Sequence, residues 1–149
     1  MIPINSTTIR VFLHVLAATV WVGGQLTLVA VIPVLRPAGV EHVRAVARRF
    51  QLVAWPAFLV LLATGVWNLL ALHVADQSTQ WLVTLFAKLV CVAISGLAAA
   101  LHILVAAPRV RNAPSDDARR TAAAFSGALE GLSVLFGLAA LFLGILLSG

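Results

Sequence analysis

The sequence predicts an all-α integral membrane protein, a four-helix bundle with both termini on the outer side of the membrane. Hydrophobic residues make up 62% of the 149 residues and charged residues only 10%. A soluble domain is about 45–50% apolar and about 25% charged. With a mean hydropathy of +1.06, the composition excludes a disordered tail, a disulfide scaffold and an ordinary soluble enzyme.

Four apolar runs define the predicted helices, at residues 9–34, 52–72, 82–107 and 122–147 of a single transmembrane domain, 1–149. Each run is long enough to cross a hydrocarbon core of ~30 Å at 1.5 Å per residue. The runs are rich in Leu, Val and Ala without alternation, which favours helices over barrel strands. Pro108 is expected to end the third helix, because proline cannot continue the hydrogen-bond ladder.

The distribution of arginines predicts the orientation. Segments 35–51 and 108–121 carry four arginines each, whereas segment 73–81 carries no Lys or Arg. By the positive-inside rule, the two basic segments are predicted to be cytoplasmic loops of a multi-pass cell-membrane protein. The net charge of +5 is then explained by topology, and we expect no nucleic-acid partner. The lipid bilayer is the predicted partner; a membrane redox partner and a homo-oligomer remain open.

Six strongly polar residues lie well inside the apolar runs. Such groups are costly in a bilayer unless they are paired, and they usually face the bundle interior. By depth in the membrane they form a predicted outer layer and a predicted inner layer. Lys88 and His102 are fourteen residues apart, close to four helical turns, so they are predicted to share one face of the third helix. The outer layer consists of His14, Asn68 and Lys88, and the inner layer of Gln25, His102 and Glu130.

Two histidines inside a helical bundle suit haem b, which takes nitrogen axial ligands. Copper is the alternative, because imidazole suits Cu(II). His14 and His102 are the predicted metal ligands, and Asn68 and Gln25 complete the predicted cofactor-binding set. One Cys and one Met leave almost no sulfur for a Cu(I) relay.

Structural roles remain open for these and other residues. His14 and His102 could be satisfied packing residues, Lys88 could extend its stem outward, and Glu130 could simply hydrogen-bond Gln25. The Gly127/Gly131 pair is expected to make a close helix contact, as are Gly23, Gly24 and Gly65. Interfacial positions are expected for His73, Trp55 and Trp81.

Three segments resemble the copper-resistance protein D (CopD) family. They are LHVLAATVWVGG from Leu13, RRFQLVAWPAFLVLLATGVWNL from Arg48 and WLVTLFAKLVCVAISGLAAALH from Trp81. The pattern is also similar to the membrane protoporphyrinogen IX oxidase (HemJ) family, which is related to it. The latter resemblance implies a functional His–Lys pair associated with haem b, at His14 and Lys88. In that family the stretch after the first helix ends in Tyr-His. This chain instead reads VAVIPVLRP there, and it contains no Tyr.

The leading expectation is a small membrane protein that binds haem b and is redox- or metal-linked, a HemJ-like oxidoreductase with Lys88 and Glu130 as its catalytic residues. The first alternative is copper transport or handling across the membrane without haem. The second is a non-catalytic subunit of a membrane complex, in which the polar residues only hold helices together.

Overall fold

A computed structural model of the chain describes residues 5–72 and 76–148, so that His73 lies outside the described residues. Two compact units divide the chain: unit 1, Met1–Gln77, and unit 2, Ser78–Gly149. The described part of the chain is helical, with four helical spans that are long and apolar enough to cross a membrane. This confirms the prediction of an all-α protein with four spans, which are Ser6–Ala38, Val40–Leu70, Thr79–Arg111 and Asp116–Leu146.

Unit 1 is a hairpin of two antiparallel helices, α1 (Ser6–Leu35) and α2 (Val40–Leu70). The Asn5 side chain caps α1 by accepting a hydrogen bond of 2.9 Å from the Thr8 N–H. A single 3₁₀ turn, Arg36–Ala38, leads to Gly39 before α2 begins. Gly39 has a φ of 117°, which a residue with a Cβ rarely adopts, so glycine permits the tight reversal here.

Three aromatic rings pack together between the helices of unit 1. The Trp21 ring is 3% exposed, and its centroid lies 4.3 Å from that of Phe58 and 5.6 Å from that of Trp55. The Trp21–Trp55 pair is edge-to-face, a geometry that the aromatic quadrupole favours. Trp55, which was expected to be an interfacial anchor, is thus also part of the packing between α1 and α2.

Unit 2 contains α3 (Thr79–Leu101), a π-helical turn at His102–Ala106, the short α4 (Ala107–Arg111) and α5 (Asp116–Leu146). The prediction that Pro108 ends the third helix is wrong, because the helical span continues to Arg111. Within the π turn, the Ala107 N–H donates to the His102 carbonyl, five residues earlier. This wider turn changes the ladder just before Pro108, where an α-helix would meet the proline ring.

Helices α3 and α5 are antiparallel and meet through residues that recur every seven positions on α3. The Trp81 indole N–H donates to the Leu147 carbonyl over 3.4 Å, and Ser95 and Ser133 each donate to the other's carbonyl over 2.9 Å. Both serines are fully buried. A seven-residue repeat keeps one face of a helix towards its neighbour, as in coiled coils.

The helices are longer than the apolar runs that predicted them. The basic segments 35–51 and 108–121, expected as loops, are mainly helical, because α2 begins at Val40, α4 continues to Arg111 and α5 begins at Asp116. Hydropathy marks where a chain is apolar enough for lipid, whereas backbone hydrogen bonds continue beyond that region. Three of the basic side chains in the first segment, Arg44, Arg48 and Arg49, therefore lie on the first three turns of α2.

The glycine predictions divide in two. A Cβ on Gly24 would collide with the Phe50 ring, and one on Gly65 would lie 3.5 Å from His14 Cε1, so both glycines face the neighbouring helix closely. The expected close contact at Gly127 and Gly131 is wrong within the described structure, as is that at Gly23. Nothing there lies within 4 Å of a Cβ built on any of these three.

Large apolar side chains are widely exposed along the spans. Leu70, Phe86, Leu104 and Phe142 have exposures of 62–81%, and only 22–28% of the residues in each apolar window are buried. Exposed apolar surface on this scale is unfavourable in water. The spans therefore imply a lipid bilayer around the helices.

Candidate functional site

The polar groups of unit 2 converge on His102, at the point where α3 passes into the π turn. The ring Nδ1 lies 3.1 Å from the Ser126 carbonyl oxygen and 3.2 Å from the Ser126 hydroxyl. On its other side, Nε2 lies 3.8 Å from a carboxylate oxygen of Glu130. Ser126 and Glu130 are one turn apart on α5, so one face of that helix contacts both ring nitrogens.

The hydrogen bonds define the tautomer of His102. A carbonyl oxygen can only accept a hydrogen bond, so Nδ1 carries the hydrogen and donates it to Ser126. In the neutral ring the lone pair is then on Nε2, which is directed towards Glu130. A hydrogen bond at one ring nitrogen that fixes the other as a ligand or proton acceptor is the usual arrangement of metal-binding histidines.

The π turn affects the position of His102. Single π turns within α-helices widen the backbone by one residue and occur frequently at functional sites. Here the turn begins at His102 itself. The side chains of His102 and Glu130 are both 27% exposed, so the pair remains accessible at the surface of the helices.

His14 is the corresponding histidine of unit 1. Its Nδ1 lies 2.9 Å from the Thr64 hydroxyl, which itself donates to the Val60 carbonyl over 2.7 Å. When the one hydrogen of that hydroxyl lies on the Val60 carbonyl, the hydroxyl accepts from His14, and the lone pair of a neutral ring is then on Nε2. The imidazole lies beside Gly65 of α2, where a built Cβ would be in ordinary van der Waals contact with it, 3.5 Å from Cε1.

The remaining predicted site residues lie in both units. Asn68 is half-buried on α2, one turn beyond Thr64, and Gln25 is 3% exposed within unit 1. In unit 2, the Lys88 ammonium lies 3.1 Å from a Cβ built on Gly144, near the end of α5. Lys88 and His102 both contact α5, which agrees with the predicted shared face. The pairing of His14 with Lys88, and of Gln25 with the His102–Glu130 pair, stays a prediction.

Sequence reasoning missed the residues that hold the imidazoles. Thr64 and Ser126 are ordinary residues of apolar helices, and their partners are 50 and 24 residues away in sequence. The Ser95–Ser133 pair was also not predicted. The seven-residue spacing of Trp81, Lys88, Ser95 and His102 was a usable signal, because it places all four on one side of α3.

The donor set for a metal ion is small. Residues 5–72 and 76–148 contain no group of three or more His, Cys, Asp and Glu side chains placed to hold one ion. The His102–Glu130 pair supplies one nitrogen and one carboxylate. Resident structural zinc sites, by comparison, usually have four protein ligands.

These features define a small multi-pass membrane protein whose apolar helices carry a few strongly polar side chains. Residues 44–147, more than two thirds of the chain, match the family model described as copper resistance protein D. The chain belongs to this family, and it is a small copper-related membrane protein. Lys88, His102 and Glu130 lie inside the matched range, and His14 lies before it. Neither the curated proteins nor the solved structures contain a match.

Proposed function

We propose that the chain handles copper ions within the membrane, and that His102 and Glu130 are the residues that bind the ion. The observation that carries this proposal is the pair itself: an imidazole nitrogen and a carboxylate oxygen 3.8 Å apart inside apolar helices. An ionisable pair in such a position is a functional-site candidate. Membership of the copper resistance protein D family supplies the identity of the metal.

The geometry of the pair suits one shared ion. Ligand atoms of Zn²⁺, a cation of similar ligand preference, lie roughly 2.0–2.2 Å from the metal, so one ion can bridge atoms up to about 4 Å apart. Imidazole and carboxylate suit Cu(II) better than the softer Cu(I), and Cu(II) binds such ligands more tightly than the other common divalent metals. The Ser126 carbonyl keeps Nε2 available for the ion by holding the hydrogen on Nδ1.

Two protein ligands suit an ion in transit. A site with three or four protein ligands retains its metal, whereas a pair leaves positions open for water or for the next carrier. Glu130 also supplies a negative charge that offsets part of the cost of a cation inside the membrane. The site is therefore proposed as a transient binding position for cargo, and copper is its substrate.

Copper accumulation in cells tests this proposal. Expression of the wild-type chain is expected to change cellular copper content, measured by elemental analysis. His102→Ala and Glu130→Gln are expected to return it to the level of cells that lack the protein. Arg119→Gln is the matched control, because it removes an exposed charge of the same unit. Copper content unchanged by His102→Ala at equal membrane expression contradicts the proposal.

Haem b binding is the second candidate, and the ring of His14 favours it. Thr64 holds Nδ1, so Nε2 has the chemistry of an axial ligand. This donor fits haem b, which would supply one-electron redox chemistry when bound. His14 would hold the group, and Asn68 would lie one turn beyond Thr64 on the same face of α2. Lys88, by the resemblance to the oxidase family, would be the second functional residue.

An absorption spectrum of the purified protein distinguishes these proposals. A Soret band that His14→Ala abolishes supports haem binding and the oxidase-type function. If haem is bound, Lys88→Met, which keeps the length of the side chain, is expected to shift the Soret band. If copper is bound at His102 instead, Lys88→Met is expected to leave copper binding unchanged. Copper without a Soret band supports copper handling. A purified protein that contains neither copper nor haem supports the remaining alternative, a non-catalytic subunit of a membrane complex.

A further inference from the structure

An apolar groove runs between α1 and α2 of unit 1, near the first turns of α2, where the arginines of that helix lie. Its volume is about 480 Å³, which is within the range of about 300–1,000 Å³ for small-molecule sites. Phe50 packs against Gly24 at one side of it, where any larger residue at position 24 would displace the ring. The lining comes from Gly24 and Leu28 of α1 and from Ala45, Val46, Arg49 and Phe50 of α2.

Arg49 is the only charged residue in this lining. Thr27 also lines the groove, but its hydroxyl donates to the Gly23 carbonyl over 2.8 Å. No carboxylate of the residues that the structure describes forms an ion pair with Arg49. The groove therefore offers one exposed guanidinium beside an otherwise apolar surface.

The charge changes abruptly along α2 at this position. Arg44, Arg48 and Arg49 lie on its first three turns, and Glu41 is the one acidic residue of the helix. After Arg49, the helix has no further charged residue up to Leu70. The groove thus lies where a basic helix end meets an apolar span, the level at which lipid phosphates meet acyl chains.

We propose that this groove binds an anionic phospholipid, with an acyl chain along Gly24, Leu28 and Phe50 and the phosphate on Arg49. Arginine suits this role because its planar fork pairs with two phosphate oxygens. The apolar lining suits a hydrocarbon chain and offers no partner to a polar ligand. A zwitterionic lipid has the same chain but no net charge, so Arg49 provides the selectivity.

Native mass spectrometry of the full chain tests this proposal. The protein is released from vesicles that contain equal amounts of phosphatidylglycerol and phosphatidylcholine, and retained lipids are counted. The wild-type chain is expected to retain phosphatidylglycerol about fivefold over phosphatidylcholine, the factor expected for one arginine near a lipid surface. Arg49→Gln is expected to remove most of that preference.

Two further variants separate the groove from general surface charge. Arg44→Gln removes a neighbouring exposed charge that does not line the groove, and it is expected to keep the preference. Ala45→Phe adds bulk at an exposed lining position and is expected to reduce retention of both lipids. Equal retention of the two lipids by the wild-type chain overturns the proposal, as does an Arg49→Gln variant that keeps the preference while Arg44→Gln loses it.

Discussion

In unit 1 the histidine ring is held by a threonine hydroxyl, whereas in unit 2 it lies between a main-chain carbonyl and a carboxylate. In both rings Nδ1 faces an oxygen atom, the Thr64 hydroxyl beside His14 and the Ser126 carbonyl beside His102. Beside His102 lies a carboxylate, that of Glu130, at 3.8 Å. The comparison teaches what the carboxylate adds: Glu130 brings a negative charge to the His102 ring, whereas the Thr64 hydroxyl brings none to the His14 ring.

The two units also differ in how their helices pack. Trp21, Trp55 and Phe58 fill the interface of unit 1 with aromatic rings. In unit 2 the buried contact is the Ser95–Ser133 pair, surrounded by small residues such as Gly96 and Ala98. Small residues let helix backbones approach closely, and hydroxyl groups then join them. Bulk in one unit and hydrogen bonds in the other thus hold similar hairpins together.

The largest expected effect concerns the side of the membrane on which each basic helix end lies. Each basic segment carries four arginines. By the positive-inside rule, we predict that both segments are cytoplasmic and that both termini are therefore outside. A periplasmic alkaline-phosphatase reporter fused after Gly149 is expected to be fully active. A green fluorescent protein fused there is expected to be dark, and bright cytoplasmic fluorescence would contradict the orientation.

The serine pair gives the next largest effect. Ser95→Ala with Ser133→Ala removes two reciprocal hydrogen bonds of 2.9 Å. Interhelical hydrogen bonds in membranes contribute about 0.6 kcal/mol on average and up to about 1.7, so the double variant is expected to lose about 1–3 kcal/mol of unfolding free energy. Denaturant titration in mixed micelles measures this loss.

A matched change at exposed positions tests whether the loss comes from the bonds. Thr84→Ala and Ser148→Ala remove hydroxyls that donate only to carbonyls of their own chain segment. This pair is expected to change the unfolding free energy by less than about 0.5 kcal/mol. Equal losses in the two double variants would show that the buried pair does not hold unit 2 together.

Glycine substitutions sharpen the contrast between the units. Gly127→Ala is expected to stabilise unit 2 by about 0.5–1 kcal/mol, because alanine favours the helix and nothing described lies near its Cβ. The unfolding free energy of Gly24→Ala is expected to be about 1–3 kcal/mol lower than that of Gly127→Ala, because a Cβ at position 24 collides with the Phe50 ring. Thermal unfolding of the two variants measures the difference, and equal effects would mean that Phe50 does not pack against Gly24.

A further effect is expected at Thr64. Thr64→Val keeps the shape but removes the acceptor of His14 Nδ1–H, at a cost of about 0.6–1.7 kcal/mol. The nitrogen chemical shifts of the His14 ring, measured by NMR, are expected to show a mixture of tautomers in the variant. A single unchanged tautomer would mean that Thr64 does not orient the ring.

Much of the fold could be predicted because lipid imposes a simple rule. Every backbone polar group must be satisfied within the segment, so a long apolar run such as 122–147 indicates a helix. Helix ends were less predictable, because apolar character stops at the lipid boundary while α2 and α5 continue beyond it. The prediction that Pro108 ends the third helix was wrong for a related reason. The π turn before Pro108 depends on local backbone geometry, which no residue type in the sequence indicates.

The candidate site was only partly predictable. The cost of burying charge singled out His102 and Glu130, and their depths suggested the same layer. Which residue holds each ring depends on helix rotation and register, so Thr64 and Ser126 could not be identified. Gly127 and Gly131 had the spacing of a close helix contact, yet α5 turns other small residues, Ser133 and Gly137, towards its neighbour.

Copper binding to the purified protein tests the central claim most directly, that the imidazole with an acidic partner is the metal site. Electron paramagnetic resonance during a Cu(II) titration is expected to show nitrogen coordination in the wild-type chain. His102→Ala is expected to remove that signal, and Glu130→Gln to weaken copper binding by at least about tenfold. His14→Ala, the matched change in unit 1, is expected to leave both unchanged. Nitrogen coordination that survives His102→Ala and disappears in His14→Ala would contradict the claim.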